Sequence, residues 1–245
     1  LSAPQGNGRI VIAQSYDGKL TGFDFETGEQ LWSYTSDVPV LTLRGTSTPM
    51  LIGDAAVAAF ADGKVVAVST ESGNVVWEAR VAVSQGRSEI ERIVDIDGTM
   101  ALQGNELFVA AYQGRIVAID TRAGRKLWQR NVSAVSGVAL GFGNVYVADE
   151  DGTLSAFLRN GQGIRWQNIE LGYRELSRPT PISNYVAVVD FAGYLHLFSQ
   201  VDGQIVGRER PDSDGARADM IASGNTLYVY GNSGDLIAYD IRVKE

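Results

Sequence analysis

The amino-acid sequence predicts an all-β protein, a β-propeller of four-stranded blades with six repeats in a single domain over residues 1–245. Two regular spacings carry this prediction. Glycines that suit tight turns recur every 38 to 51 residues, at Gly18, Gly63, Gly114, Gly152, Gly193 and Gly234. The four tryptophans of the chain each lie fourteen residues after the first glycine of a repeat, at Trp32, Trp77, Trp128 and Trp166. This regularity indicates one structural unit repeated along the chain.

Each repeat has the pattern of a β-meander. Apolar runs stand on both sides of the first glycine, as at 107–111 and 115–120 in the third repeat. Pairs such as Asp17-Gly18 suit two-residue hairpins, because aspartate and glycine tolerate positive φ. A second glycine, near ten residues further on, precedes the tryptophan strand, and a short strand such as 47–51 is expected to open each repeat. Four strands in about 40 residues is the size of a propeller blade.

A stacked sandwich or another β-solenoid is the alternative architecture. The tryptophans favour radial packing, since one large side chain per repeat can wedge against the neighbouring blade. The last repeat ends without a tryptophan strand, so its blade is predicted to have three strands.

Composition excludes several classes of function. The formal net charge is −8, from 21 Lys and Arg against 29 Asp and Glu, which disfavours nucleic acid as a partner. There is no cysteine, so disulfides, thiolate metal sites and cysteine nucleophiles are excluded. No apolar run approaches the roughly 18 residues of a membrane-spanning helix.

The sequence offers no catalytic constellation. His196 is the single histidine and lies in a strand pattern, which leaves no partners for a multi-histidine metal site or a second catalytic histidine. A phosphate-binding loop of the G-x-x-x-x-G-K type is missing from the sequence. The aspartates of the Asp-Gly pairs have a structural role in turns. We therefore predict a binding protein, with no catalytic residues, no metal site and no cofactor.

Two repeat intervals are longer than the others, which indicates insertions. They fall between Trp32 and Met50 and between Trp77 and Met100. In an up-and-down blade these connections lie on the same face as the Asp-Gly hairpins, and consecutive junctions should be neighbours. The second insertion contains a capping-box pattern at 88–91, typical of a helical turn. Loops on a rigid scaffold are where binding usually resides.

The third repeat, at 118–128, resembles the tryptophan-docking motif of quinoprotein-type (PQQ-like) propeller repeats. The first two repeats match the motif, and the fifth departs from it with Gly207 in place of tryptophan. The segments 38–45 and 88–97 carry a closer resemblance, to the BamB family of outer-membrane assembly lipoproteins, which extends over essentially the whole chain.

The resemblance to the BamB family implies a fold and a function. It implies an eight-bladed ring with a lipidated N-terminal cysteine, so six repeats without cysteine imply a fragment that lacks the anchor and about two blades. It also implies a non-catalytic scaffold of the β-barrel assembly machinery that binds BamA and supports folding and insertion of outer-membrane proteins. Unfolded outer-membrane proteins would be a second partner. The expected location is the periplasmic face of the Gram-negative outer membrane, reached through the lipid.

Resemblance and loop position together give five candidate partner-binding residues. They are Leu41, Leu43, Arg44, Asp95 and Asp97. Apolar anchors beside an arginine are a common interface composition. Two other functions use the same repeat and stay open at this point: a quinone-dependent dehydrogenase, disfavoured by the lack of adjacent cysteines, and a ligand-sensing propeller.

Overall fold

The computed structural model describes residues 2–37, 47–82, 95–134 and 136–242. These ranges contain strands and turns, and they hold no helix with the length and apolarity of a membrane span. The chain divides into two compact units, Leu1–Val135 and Ser136–Glu245, which are described separately.

The first unit contains three antiparallel four-stranded sheets, each formed by strands consecutive in the chain. Their strands are β1 (Gln5–Gly6), β2 (Ile10–Gln14), β3 (Lys19–Asp24), β4 (Gln30–Thr35), β5 (Met50–Ile52), β6 (Ala55–Ala59), β7 (Lys64–Ser69), β8 (Val75–Arg80), β9 (Ala101–Gln103), β10 (Glu106–Ala110), β11 (Arg115–Asp120) and β12 (Arg125–Asn131). Each sheet is one predicted repeat, with a short first strand and a tryptophan on the fourth.

The second unit contains two four-stranded sheets and one three-stranded sheet, again antiparallel and in chain order. Their strands are β13 (Val138–Gly141), β14 (Asn144–Ala148), β15 (Leu154–Leu158), β16 (Ile164–Asn168), β17 (Thr180–Ile182), β18 (Tyr185–Val189), β19 (Leu195–Ser199), β20 (Ile205–Glu209), β21 (Ile221–Ser223), β22 (Thr226–Tyr230) and β23 (Leu236–Asp240). The sixth sheet has the three strands predicted for it within the part of the chain that the structure describes.

The core of each unit lies between neighbouring sheets. In the second, third and fourth blades the two middle strands are buried on both faces, so they consist of continuous apolar runs, as in β7 and β11. The short first strands lie side by side, β1 next to β5 in one unit and β17 between β13 and β21 in the other. On the fourth strands β4, β8 and β16 a buried tryptophan lies between exposed neighbours, because only one face of each strand meets the next blade.

The hairpins between second and third strands differ from the two-residue turns that the sequence predicted. Between β2 and β3 the connection has four residues, Ser15 to Gly18. The Gly18 amide donates to the Ser15 carbonyl at 3.2 Å, and the Ser15 amide donates to the Lys19 carbonyl at 2.9 Å. Gly18 has a φ of 78°, which closes this wider turn. The hairpin is longer than predicted because an Asp-Gly pair fits turns of two and of four residues, and the register of β2 and β3 selects the longer turn.

Tryptophans join neighbouring blades through a repeated contact that we call the tryptophan seam. The indole of one blade lies on the second glycine of the next blade and donates its N–H to a carbonyl three residues before that glycine. The donor and acceptor pairs are Trp32 with Thr70 at 2.7 Å, Trp77 with Thr121 at 2.7 Å, and Trp166 with Gln200 at 3.1 Å. The glycines under the rings are Gly73, Gly124 and Gly203. These contacts are the docking of tryptophan against the next blade that the resemblance to tryptophan-docking repeats implies.

Candidate functional site

The two insertions leave the scaffold from fixed points. The amide of Ser36 donates to the Gly18 carbonyl, and the amide of Val81 donates to the Gly63 carbonyl, both at 2.8 Å. Gly18 and Gly63 lie in the hairpins of the first and second blades, so each connection crosses the hairpin of its own blade. The last described residues before the two insertions, Asp37 and Ala82, therefore lie next to the hairpins of their own blades.

The chain segments that follow the two insertions are in contact. Ser47, the first described residue after the first insertion, is fully buried, and its hydroxyl donates to the Gly98 carbonyl at 3.1 Å. Gly98 is the fourth described residue after the second insertion, and it lies 51 residues from Ser47 in the chain. That the insertions themselves are neighbours stays a prediction, because they lie outside the described residues.

Of the five predicted partner-binding residues, the structure describes two. Leu41, Leu43 and Arg44 lie outside the described residues, as does the capping-box pattern at 88–91. Asp95 is 1% exposed, and its carbonyl accepts from the Tyr112 amide at 2.9 Å. Asp97, two residues on, is half-buried.

A cleft beside the insertion bases collects acidic and aromatic side chains. Asp95 and Asp97 line it together with Asp37, Gln14 and the hairpin residue Tyr16. Tyr16 is 70% exposed. The sequence analysis did not identify Tyr16 and Asp37 as site residues. Tyr16 could have been identified, because it is an aromatic residue directly before the Asp17-Gly18 turn. We name this cleft, together with the described residues that flank the two insertions, the insertion face.

Side-chain contacts fix the base of the insertion face. Among the described residues, no group of three or more His, Asp or Glu side chains is arranged to hold a metal ion. Asp62, at the second-blade hairpin, accepts from the Ser36 hydroxyl at 3.3 Å and pairs with Lys64 at 3.1 Å. The hydrogen bond to Asp62 raises the pKa of Lys64. These contacts tie the first insertion to the second blade and give the face a fixed base.

A buried charged cluster in the second unit surrounds the single histidine. His196 lies on β19 as predicted, 2% exposed, with Nε2 at 3.0 Å from a carboxylate oxygen of Asp190. The same oxygen accepts from Arg174 at 2.8 Å. Burial lowers the pKa of His196 and outweighs the opposite effect of Asp190. Burial alone would raise the pKa of Asp190, but hydrogen bonds from the Tyr194 amide, His196 and Arg174 outweigh it and keep that pKa below its usual value. Through Asp190 in the hairpin before β19, the cluster joins His196 on β19 to Arg174 in the connection between β16 and β17.

We expect stability to fall as the pH falls from about 7 to about 5, because this interval spans the unfolded-state pKa of His196. A folded-state pKa below that value means that the unfolded chain binds more protons here, so protonation favours unfolding. Urea midpoints measured across the interval test this. His196→Gln keeps a donor near Asp190 without a titrating ring, and its midpoint should be flat. A flat wild-type profile, or an unchanged slope in the variant, would contradict the assignment.

Comparison with known proteins places the chain in a family. The family model described as "Outer membrane protein assembly factor BamB" matches residues 1–168. The protein of that name from Pseudomonas aeruginosa is 52% identical over 207 residues, which cover 84% of this chain and 54% of the relative. The chain thus spans little more than half the length of this curated relative.

Solved structures agree on the fold. BamB from Moraxella catarrhalis superposes with a TM-score of 0.87 at 28% identity, over 97% of this chain and 71% of that chain. A quinohemoprotein alcohol dehydrogenase from Pseudomonas putida has a TM-score of 0.74 at 12% identity, over 97% of this chain and 56% of that chain, a likeness of fold alone. These similarities confirm the predicted β-propeller fold class. On the match over residues 1–168, this chain belongs to the BamB family of outer membrane protein assembly factors.

Proposed function

We propose that the chain is a non-catalytic scaffold in outer-membrane protein assembly, at the periplasmic face of the Gram-negative outer membrane. Family membership carries this proposal, and the 52%-identical relative is itself named an assembly factor. The prediction of a non-enzymatic protein agrees with the names of these relatives. The dehydrogenase likeness, at 12% identity, supports no shared chemistry.

The proposed partner is BamA, bound at the insertion face. Two observations support this choice of surface. The residues just before each insertion are hydrogen-bonded to the hairpin of their own blade, and the segments after the insertions are joined by the Ser47–Gly98 hydrogen bond. A rigid base lowers the ordering cost of binding for the loops above it. In this proposal Leu41, Leu43 and Arg44 supply the anchors, Asp97 supplies a charged rim, and Asp95 forms the buried floor. Unfolded outer-membrane proteins are a second proposed partner.

Replacing Leu43 and Arg44 together by alanine should weaken BamA binding by about 2 kcal/mol or more, roughly 30-fold in Kd. The reason is the loss of an apolar anchor and of the adjacent guanidinium. Asp97→Asn should have a smaller effect, because a partly exposed charge acts mainly on the association rate. Biolayer interferometry with purified BamA measures both.

The control for this experiment is Arg125→Ala. Arg125 is exposed at the start of β12, at the opposite end of the blade from the hairpins. Its substitution should leave affinity and the urea midpoint unchanged. If Arg125→Ala weakens binding while the double variant does not, the proposed surface is on the wrong face.

A further inference from the structure

Three large apolar side chains lie on one surface of the second unit, at the hairpin end of the fourth and fifth blades. Ile169 and Tyr173 belong to the connection between β16 and β17, and Phe191 belongs to the hairpin between β18 and β19. Their side chains are between 62% and 83% exposed. The Phe191 amide donates to the Arg174 carbonyl at 2.9 Å, so Tyr173 and Phe191 extend from neighbouring segments of the backbone. Large apolar side chains exposed together are typical of a surface that binds another molecule.

The backbone holds Tyr173 in a conformation that costs energy. Its φ is 59°, in the left-handed region that a residue with a side chain rarely adopts. The Tyr173 amide donates to the Asp151 carbonyl of the fourth-blade hairpin at 2.7 Å, and the Leu171 carbonyl lies against Gly152 of the same hairpin. The exposed ring adds little to the core, so packing does not offset the strain. A strained residue that its surroundings hold in place is a common feature of functional sites.

Two arginines at the C-terminal end of β20 lie beside the same hairpin. Arg208 and Arg210 are two residues apart, so their side chains extend from the chain on the same side, and Glu209 extends on the other. Both guanidinium groups lie over the ring of Tyr194, 3.9 Å and 5.1 Å from its centroid. Tyr194 is the last residue of the hairpin that carries Phe191. The two cations are therefore held next to the exposed aromatic residues.

The chemistry of these side chains favours an acidic polypeptide segment as the ligand. A guanidinium that contacts a ring with its face keeps the N–H donors of its edge for a carboxylate, and both arginine side chains are exposed. Exposed aromatic rings together with arginine are enriched at protein interfaces. The formal net charge of −8 disfavours a large anionic surface such as a lipid bilayer. A short segment instead interacts mainly with the charges within the Debye length of about 8–10 Å.

We propose that this surface binds a polypeptide segment of another protein in which carboxylates lie next to aromatic side chains. The surface consists of Ile169, Tyr173, Phe191, Arg208 and Arg210. The rings of the segment pack on Tyr173 and Phe191, and its carboxylates pair with the two guanidinium groups. The proposal goes beyond BamA binding at the insertion face, because all five residues belong to the second unit. A peptide that fails to bind here therefore says nothing about the insertion face, and loss of BamA binding there says nothing about this surface.

Isothermal titration calorimetry with unlabelled, end-capped peptides tests the surface. The peptide Glu-Phe-Asp-Phe-Glu should bind this chain with a Kd on the order of 0.1 mM, as expected for a short flexible ligand. Peptides with lysine in place of its acidic residues, or with alanine in place of its phenylalanines, should bind about fivefold more weakly or worse. Raising the ionic strength from 0.1 M to 1 M shortens the Debye length from about 10 Å to about 3 Å, so affinity for the acidic peptide should fall severalfold. Absence of binding at several times the expected Kd, or equal binding of the lysine peptide, overturns the proposal.

Variants of the chain, each checked for folding by its urea midpoint, locate the binding surface. Arg208→Ala/Arg210→Ala should weaken binding of the acidic peptide about tenfold, and Tyr173→Ala about fivefold. Phe142→Ala is the matched control and should leave the affinity unchanged. Phe142 is also an exposed aromatic residue with a positive φ, of 50°, but it lies in the turn between β13 and β14, at the opposite end of the fourth blade.

Three results would contradict this assignment of the surface. Equal effects of Tyr173→Ala and Phe142→Ala overturn it, as does unchanged affinity in the folded double arginine variant. Binding to phosphatidylglycerol vesicles that the double arginine variant loses, without binding of the acidic peptide to the wild-type chain, also overturns it, because the two arginines would then serve a lipid surface.

Discussion

Trp77→Ala should destabilise the chain by about 3–5 kcal/mol, the usual cost of truncating a buried aromatic side chain. Trp77 is 7% exposed and packs in a buried apolar cluster between the second and third blades. Its ring lies on Gly124, and its N–H donates to the Thr121 carbonyl at 2.7 Å. Truncation therefore leaves a cavity between the second and third blades and also removes the donor of a partly buried acceptor.

Urea denaturation monitored by circular dichroism measures this loss. Val76→Ala is the matched control, because Val76 is the neighbouring residue of the same strand and is 57% exposed, so its substitution should stay within about 0.5 kcal/mol. Trp77→Phe should fall between the two, since it keeps a ring and loses the N–H bond. A cost below about 1 kcal/mol for Trp77→Ala would show that the seam contributes little to stability.

The seams were the most predictable part of the fold. A tryptophan fourteen residues after a turn glycine falls on the fourth strand of each of the first four blades, so spacing alone indicated a contact between blades. The receiving glycine was also visible, since Gly73 and Gly124 recur at a fixed offset and both have positive φ. Repetition makes this inference possible, because the same contact between a tryptophan and the next blade recurs from blade to blade.

Details that depend on strand register were not predictable. The fifth repeat lacks tryptophan, but only the pairing of Leu197 with Gly207 shows that a larger residue has moved to the opposite strand. Likewise, an Asp-Gly pair does not reveal whether a hairpin has two or four residues. In the third blade Gln113, with a φ of 46°, adopts the left-handed conformation in the turn, and Gly114 does not have a positive φ.

For the candidate site, repeat spacing predicted two insertions on the hairpin face that are neighbours, and this stays a prediction. The structure shows only that the segments after them are joined by the Ser47–Gly98 hydrogen bond. The burial of Asp95 was not foreseeable, because a carboxylate in a loop is ordinarily solvated. Its backbone bond to Tyr112 comes from the third blade, more than fifteen residues further along the chain. Such long-range pairing leaves no local mark in the sequence.

Gly193→Ala should cost about 3 kcal/mol or more, as the sum of a left-handed backbone and a collision. Gly193 has a φ of 81°, and a Cβ there would overlap the carbonyl oxygen of Asp212, with the Gly215 amide nitrogen 3.1 Å away. Asp212 belongs to the connection that leaves the fifth blade and crosses its hairpin. The small residue is thus required by the chain that lies over the turn as well as by the turn itself.

The collision cannot be relieved cheaply, because Asp212 is fixed. Its carboxylate accepts from the Ser233 amide at 2.9 Å, from the Ser233 hydroxyl at 2.7 Å and from the Asp214 amide at 2.8 Å. Moving its backbone would stretch these bonds, each worth about 1 kcal/mol or more when the acceptor is charged. Hydrogen bonds from Asp214 and Ser233 also hold the pKa of Asp212 below its usual value, so the carboxylate is ionised at neutral pH.

Gly234→Ala separates the two causes. Gly234 occupies the same turn position in the sixth blade, with a φ of 101°, and a Cβ there would meet nothing within 4 Å. Its substitution should cost only the left-handed backbone term, about 1 to 2 kcal/mol. Urea midpoints of the two variants measure the difference, which is the energy of the close approach between Gly193 and Asp212. Equal losses of stability in the two variants would mean that the segment around Asp212 moves away from residue 193 at little cost. The hairpin face would then be less rigid than its hydrogen bonds indicate.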